Sequence, residues 1–265
     1  MLILTQTSGK MMLKKRFNLR KIQKKKKFFL LAYDQGMEHG PIDFNDKNID
    51  PKYVIDIAKK GKFTGIIFQK GIAEKYSAEI KKSKVPLIIK LNGKTSLVKG
   101  DPISRQLCTV EEAKALGAVA VGFTIYIGSI HEEKMLVEFE KIQRNAHKIG
   151  LPVICWMYPR GKGIKGKKND YLAAYGARIA LEIGADIVKI HFDGKKKDME
   201  WVVKSAGKTR VIFAGGAKES ESVLLKTIKN QISAGASGLA IGRNIWQNKD
   251  PMKITKKVRK ILFSK

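Results

Sequence analysis

The sequence predicts a single-domain (βα)8 TIM barrel, and three observations predict it. Eight short apolar runs each precede a stretch with helical periodicity. The runs are near-continuous in Val, Ile, Leu and Phe rather than alternating, as strands covered on both faces require. Three helix-to-strand links also share one form, Leu116-Gly-Ala118, Ile183-Gly-Ala185 and Ala234-Gly-Ala236, in which a helix-ending glycine leads straight into a new strand. A doubly wound sheet would need a glycine-rich fingerprint after its first strand, and Asp34-Gln-Gly36 is not one. A chain of 265 residues suits one barrel, and no linker or longer repeat divides it. We read a basic N-terminal segment over residues 1–27 and a barrel over residues 28–265.

In order, a helix is expected around Met11 to Gln23, then a strand over Phe28 to Asp34. Pro51 opens a helix that carries Val54, Ile55, Ile57 and Ala58 on one face. Gly65 to Gln69 is the second strand, Ala73 to Lys82 a helix, and Pro86 to Leu91 the third strand. Thr109-Val-Glu-Glu112 is a capping box, and Gly117 ends its helix. Val119 to Tyr126, Pro152 to Trp156, Ala185 to His191, Arg210 to Ala214 and Ser237 to Ile241 are strands four to eight. Helices over His131 to Ile149, Asp170 to Ile183, Asp198 to Ala206, Glu219 to Ala234 and Met252 to Ile261 follow them in turn. Met157 to Gly161 is read as leaving strand five. The Gly/Lys-rich segment Lys162 to Lys168 is read as mobile.

Composition narrows the function. No apolar run reaches the roughly 18 residues needed to span a bilayer. Met1 to Lys15 is too short and mixed for a signal peptide. Two cysteines, Cys108 and Cys155, suggest neither a disulfide framework nor a zinc site, so a cytoplasmic protein is expected. The net charge is +29, yet only nine of the 53 basic residues are arginine, the residue suited to forked phosphate and base contacts. The lysines are spread along the chain, and only Lys24–Lys27 and Lys195–Lys197 are dense runs. We read them as solvated faces that attract acidic small substrates and polyanions without specificity.

A barrel of this kind builds its active site at the C-terminal ends of its strands. Those ends carry Asp34, Gln69-Lys70, Asn92-Gly-Lys94, Tyr126, Trp156 with Tyr158 and Arg160, Lys189, Gly215-Gly216 and Gly242-Arg243. Lys189 is an ammonium inside a buried-strand run, which is costly without a task. It is either a structural lysine, snorkelling or paired with Asp34, or a Schiff-base nucleophile. Tyr158 is a core aromatic or a proton donor and acceptor. Asp34 is a turn residue or the carboxylate that orients Lys189 and substrate hydroxyls. Gly215-Gly216 and Gly242-Arg243 follow strands seven and eight, where barrels recurrently bind phosphate. His39, His131, His147 and His191 show no metal-binding spacing, so no metal and no cofactor is expected.

These stretches resemble archaeal-type class I fructose-bisphosphate aldolases. The resemblance rests on Leu31-Ala-Tyr-Asp-Gln-Gly-Met-Glu-His-Gly-Pro41, Lys90-Leu-Asn-Gly-Lys-Thr95, Val121-Gly-Phe-Thr-Ile-Tyr126, Trp156-Met-Tyr-Pro-Arg-Gly161, Ala177 to Asp186 with Lys189, and Ala240-Ile-Gly-Arg-Asn244. It implies that Lys189 forms the Schiff base, that Tyr158 is the general acid/base, and that Asp34 and Trp156 line the reacting carbons. It implies a phosphate site at Gly215, Gly216, Gly242 and Arg243, beside Ala214, and further substrate contacts at Gln35, His39, Asp43 and Arg160. It also implies a phosphorylated sugar substrate and a homo-oligomer, often a decamer. The chain departs from the family at Gln35, Ala214 and Ala217, where His, Ser and Pro are frequent, and in the more basic loop Asp193 to Lys197. Two other readings compete. One is a transaldolase-like 2-amino-3,7-dideoxy-D-threo-hept-6-ulosonate synthase on the same fold, against which Glu38-His-Gly-Pro41 and Asn92-Gly-Lys-Thr95 speak. The other is a nucleic-acid-binding barrel, against which the retained site residues speak.

Overall fold

The computed structural model describes residues 19–264. Eight parallel strands close a barrel: β1 (Phe28–Ala32), β2 (Gly65–Gln69), β3 (Leu87–Lys90), β4 (Ala120–Ile127), β5 (Val153–Pro159), β6 (Ile187–Ile190), β7 (Arg210–Ala214) and β8 (Gly238–Ile241). Each is followed by a helix: α1 (Pro51–Lys60), α2 (Ser77–Ser83), α3 (Val110–Ala115), α4 (Glu132–Lys148), α5 (Asn169–Glu182), α6 (Lys196–Ser205), α7 (Glu221–Ser233) and α8 (Pro251–Phe263). The expected (βα)8 architecture is the observed one. The capping box is present at α3, where the Thr109 hydroxyl accepts from the Glu112 N–H at 3.1 Å and Glu112 accepts from the Thr109 N–H at 2.7 Å.

Strand side chains alternate between the helices and the barrel interior. On β6, Val188 and Ile190 join the outer core under the helices, whereas Ile187 joins the inner cluster. That parity turns Lys189 inward. The lower interior is aliphatic and aromatic, with Phe28, Leu30, Ile67, Ile88, Ile154 and Ile212 among its members. Leu19 and Ile22, from the basic N-terminal segment, belong to the same cluster, and Ile22 is fully buried. Lys27 reinforces this contact by donating to the Ala236 carbonyl at 2.6 Å. Higher up, the Trp156 ring crosses the interior over Gly122. A Cβ on Gly122 would lie 1.6 Å from that ring, so the indole fits only because residue 122 has no side chain.

Several sequence expectations need correction. β5 continues to Pro159 and pairs with β4 from Val121↔Val153 to Ile127↔Pro159. Met157 and Tyr158 therefore lie on the strand and not beyond its end, because the long β4 offers them a partner. The helix expected over Ala73 to Lys82 is two pieces, Lys70–Lys75 and Ser77–Ser83, separated by Tyr76 at φ −111° and ψ 24°. The segment read as mobile is pinned at its start. Lys162–Ile164 forms a 3₁₀ turn, the Gly163 N–H donates to the Gly128 carbonyl at 2.7 Å, and the Lys162 N–H donates to Asp101 Oδ2 at 3.1 Å. The loop after β3 holds a short antiparallel pair, Asn92–Gly93 with Arg105–Gln106. The helix expected around Met11 to Gln23 lies largely outside the described residues; only its end, at residues 19–21, is described.

Candidate active site

A cavity of about 480 Å³ opens at the C-terminal end of the strands. Lys90 from β3, Tyr158 from β5 and Lys189 from β6 line it, together with Asp34 just beyond β1. All four sit where alternation directs side chains inward. Asp34 and Lys90 form an ion pair at 3.4 Å, with side chains 6% and 5% exposed. Lys189 is 5% exposed, and its Nζ lies 5.2 Å from the centre of the Trp156 ring.

Burial sets the electrostatics. It pushes the Lys189 amine down from 10.5 to about 8; Asp34 opposes this and the charge of Lys90 adds to it. Burial alone would raise the Asp34 carboxyl, but the Lys189 and Lys90 ammonium groups overcome that and hold it below its ordinary value. Glu38 follows the same pattern: burial raises it, and Arg160 and Lys90 bring it below the usual range. Glu38 pairs with Arg160 and accepts from the Tyr126 hydroxyl at 3.0 Å. The Arg160 guanidinium stacks over the rings of Tyr126 and Tyr158, at 5.3 and 5.7 Å. Tyr158 is held well above its ordinary 10, first by burial and then by Asp34 and Glu38. Its phenol is therefore protonated at neutral pH.

The glycine loops after β7 and β8 make the opposite wall. Gly216 has φ +65°, a backbone conformation that favours glycine, and its carbonyl accepts from Arg243 at 3.2 Å. The Asn244 amide donates to the carbonyls of Gly215 at 2.6 Å and Ala217 at 2.7 Å, which fixes the loop's shape. The Gly215 N–H is spent on the Ala240 carbonyl at 3.1 Å. The N–H groups of Gly216 and Gly242 have no acceptor among the described residues and remain available to an anion. A Cβ on Gly242 would sit 2.5 Å from the Ala32 carbonyl, so this close approach also requires glycine.

Residues 28–248 match the model of a family described as DeoC/LacD family aldolase. The chain belongs to the DeoC/LacD aldolase family. It is 46% identical over 248 residues to the fructose-bisphosphate aldolase class 1 of Thermoproteus tenax, covering 92% of this chain and 93% of that one. It is also 46% identical over 227 residues to the enzyme of the same name from Halobacterium salinarum, covering 85% and 86% of the two chains. A solved archaeal fructose-1,6-bisphosphate aldolase, its catalytic lysine covalently bound to the carbinolamine intermediate of the substrate, superposes with a TM-score of 0.89. The two are 44% identical, over 95% of this chain and 100% of that one.

In this DeoC/LacD member, Asp34, Gln35, His39, Tyr158, Arg160 and Lys189 all line the cavity, as do Ala214, Gly215, Gly216, Gly242 and Arg243. Two residues that the resemblance places at the substrate do not. Trp156 is fully buried beneath the lysine, as floor rather than wall. Asp43 stands behind the wall, 2.6 Å from His39 Nδ1 and 3.5 Å from Arg243. Asn92, a strand-end residue, is a fully buried clamp between loops, donating to the carbonyls of Ser104 and Thr124 and accepting from the Thr124 N–H. Sequence reasoning missed Lys90, Glu38 and Tyr126 as parts of one charged network. Lys90 carried the same signal as Lys189, a lysine at the end of a buried apolar run. Glu38 carried none, because its partners come from strands far off in the chain. Among the described residues no group of three or more His, Cys, Asp or Glu side chains converges on a point, and no helix is long and apolar enough to cross a membrane.

Proposed function

We propose that the chain is a class I, Schiff-base aldolase that reversibly cleaves fructose 1,6-bisphosphate into dihydroxyacetone phosphate and glyceraldehyde 3-phosphate. The observation that carries this reading is a buried lysine, its amine held near 8, on the floor of a cavity whose far wall presents backbone N–H groups and an arginine to a phosphate. The names of the curated relatives point the same way and do not favour the amino-dideoxy-heptulosonate reading.

The chemistry follows from the protonation states. Neutral Lys189 attacks the C2 ketone and gives a carbinolamine. Tyr158 enters protonated, so its first act is to donate: its proton goes to the departing C2 hydroxyl, which leaves as water, and the iminium forms. The resulting phenolate then takes the C4 hydroxyl proton. The C3–C4 bond breaks, its electron pair flows into the iminium, and glyceraldehyde 3-phosphate departs. Tyr158 returns that proton to C3 of the enamine; water then attacks the iminium, its surplus proton goes to the Tyr158 phenolate, and dihydroxyacetone phosphate leaves with Lys189 neutral and Tyr158 protonated again. Asp34, kept ionised by the two lysines, accepts hydrogen bonds from substrate hydroxyls and stabilises the iminium. Gly216, Gly242 and Arg243 take the phosphate next to the ketone. Gln35, His39 and Arg160 face the remaining length of the sugar, and Asp43 orients His39 and Arg243.

The test is a cleavage assay on fructose 1,6-bisphosphate with a chelator present, wild type against Lys189→Ala. Chelator-resistant cleavage that is lost in the variant supports the reading; cleavage by both proteins overturns it. We further place the protein in the cytoplasm as a homo-oligomer. The exposed Ile42, Leu97 and Val98 support association, which light scattering reads directly.

A further inference from the structure

The cavity holds a second buried lysine that the reaction above uses only to help keep Asp34 ionised. Lys90 is 4% exposed, as deeply hidden as Lys189 at 5%. Two inward carboxylates face these lysines, Asp34 and Glu38, and each already has a cation of its own. Asp34 is paired with Lys90 at 3.4 Å, and Glu38 is paired with Arg160. With both carboxylates matched, Lys189 makes no ion pair among the described residues and rests against the Trp156 ring. We propose that Lys90 is a positioning residue for Schiff-base formation, engaging Asp34 in an ion pair so that the amine of Lys189 is left unpaired and free to attack the ketone.

The inference rests on the aldolase reading and deepens it. An amine attacks a carbonyl only in its neutral form. The charged or titratable groups around Lys189 are Asp34, Glu38 and His39 after β1, Lys90 on β3, Tyr158 on β5 and Arg160 just after it, His191 and Asp193 after β6, and Arg243 after β8. Without the charge of Lys90, Asp34 has Lys189 as its only inward ammonium partner among the described residues. A direct ion pair then fixes Lys189 in its charged form. Lys90 also acts on Lys189 as a like charge, which favours the neutral amine, and it helps keep Asp34 ionised for the substrate. One lysine thus holds the carboxylate in place, and the other is released for chemistry.

The experiment is reductive trapping of dihydroxyacetone phosphate with cyanoborohydride, followed by mass spectrometry of the Lys189 peptide from about pH 6 to about pH 10. Wild type, Lys90→Met, Lys90→Gln and Lys90→Arg are compared. In the two neutral variants the midpoint for adduct formation rises by about one to three pH units, since a favourable like charge is lost and an opposite charge is gained. Trapping at pH 7 then falls by about tenfold or more and returns at alkaline pH. Lys90→Arg keeps the wild-type midpoint. Neutral variants that keep the wild-type midpoint overturn the proposal, as do neutral variants that lose trapping equally at every pH. If neither neutral variant folds, Lys90→Arg decides alone, and a midpoint displaced by a full unit overturns it. A wild type that forms no Lys189 adduct at any pH refutes the aldolase reading itself, an outcome separate from any shift between variants.

Discussion

The two ends of the barrel interior are built from the same strands and filled in opposite ways. At the N-terminal end, Phe28, Leu30, Ile88, Ile154, Ile187 and Ile212 point inward, and Leu19 and Ile22 fold beneath them. At the C-terminal end, the same inward parity, one or two steps further along, presents Asp34, Lys90, Tyr158 and Lys189. The lower end buries apolar surface, which stabilises the fold. The upper end buries charge, which costs stability and is tolerated where charges are paired or have a task. Trp156 marks the boundary, an aromatic floor above the aliphatic layers and below the amine. The strand scaffold is common to both ends, so substitutions at the two ends should separate stability from activity.

The sharpest separation is expected at Lys189. Lys189→Ala should lower fructose 1,6-bisphosphate cleavage by at least about four orders of magnitude, measured as kcat/KM. Lys189→Met should do the same and yet make the fold more stable. The amine falls from 10.5 to about 8 on folding, so below pH 8 the buried charge costs about 3 kcal/mol. That cost fades as pH rises from 8 past 10.5, because the unfolded chain then also loses its proton. Urea unfolding should therefore show a gain for Lys189→Met at pH 7 and none above about pH 11; a loss at pH 7 contradicts the account. Tyr158→Phe should reduce cleavage by about 10²–10⁴-fold with little change in unfolding midpoint. Ile22→Ala reverses the pattern: it should cost about 2–5 kcal/mol in unfolding free energy while leaving kcat/KM of the folded protein within about twofold. If Ile22→Ala abolishes activity in protein that is still folded, the two ends are not independent. The smallest effect is graded: the rate of adduct formation in wild type should fall about tenfold for each pH unit below about 8 as the Lys189 amine takes up a proton.

Much of this division was legible in the sequence. The eight apolar runs read as strands because a sheet covered on both faces needs no alternation, and Lys189 stood out as a charge in such a run. The glycines after β7 and β8 were legible because position in a barrel gives them a role. What depends on closure was not legible. The pairing of Asp34 with Lys90 exists only because the barrel brings β1 and β3 to one cavity. The partnership of Glu38, Tyr126 and Arg160 joins residues 88 and 122 positions apart in the chain. The extension of strand five past Trp156 was not legible either, because it depends on β4 being long enough to hold Tyr158 and Pro159 on the strand. In the N-terminal segment the lysines dominate the sequence, whereas its described part is anchored by Leu19 and Ile22, two apolar residues among many charges.

Of the two lysines buried among the described residues, Lys189 is the one that bonds covalently to the ketone. Incubating wild-type protein with dihydroxyacetone phosphate and borohydride, then digesting and sequencing the labelled peptide by mass spectrometry, tests it directly. One reduced adduct is expected, on the peptide that contains Ile187–Ile190 and on Lys189 within it. Protein that stays unlabelled, or that carries its label on Lys90, would contradict it.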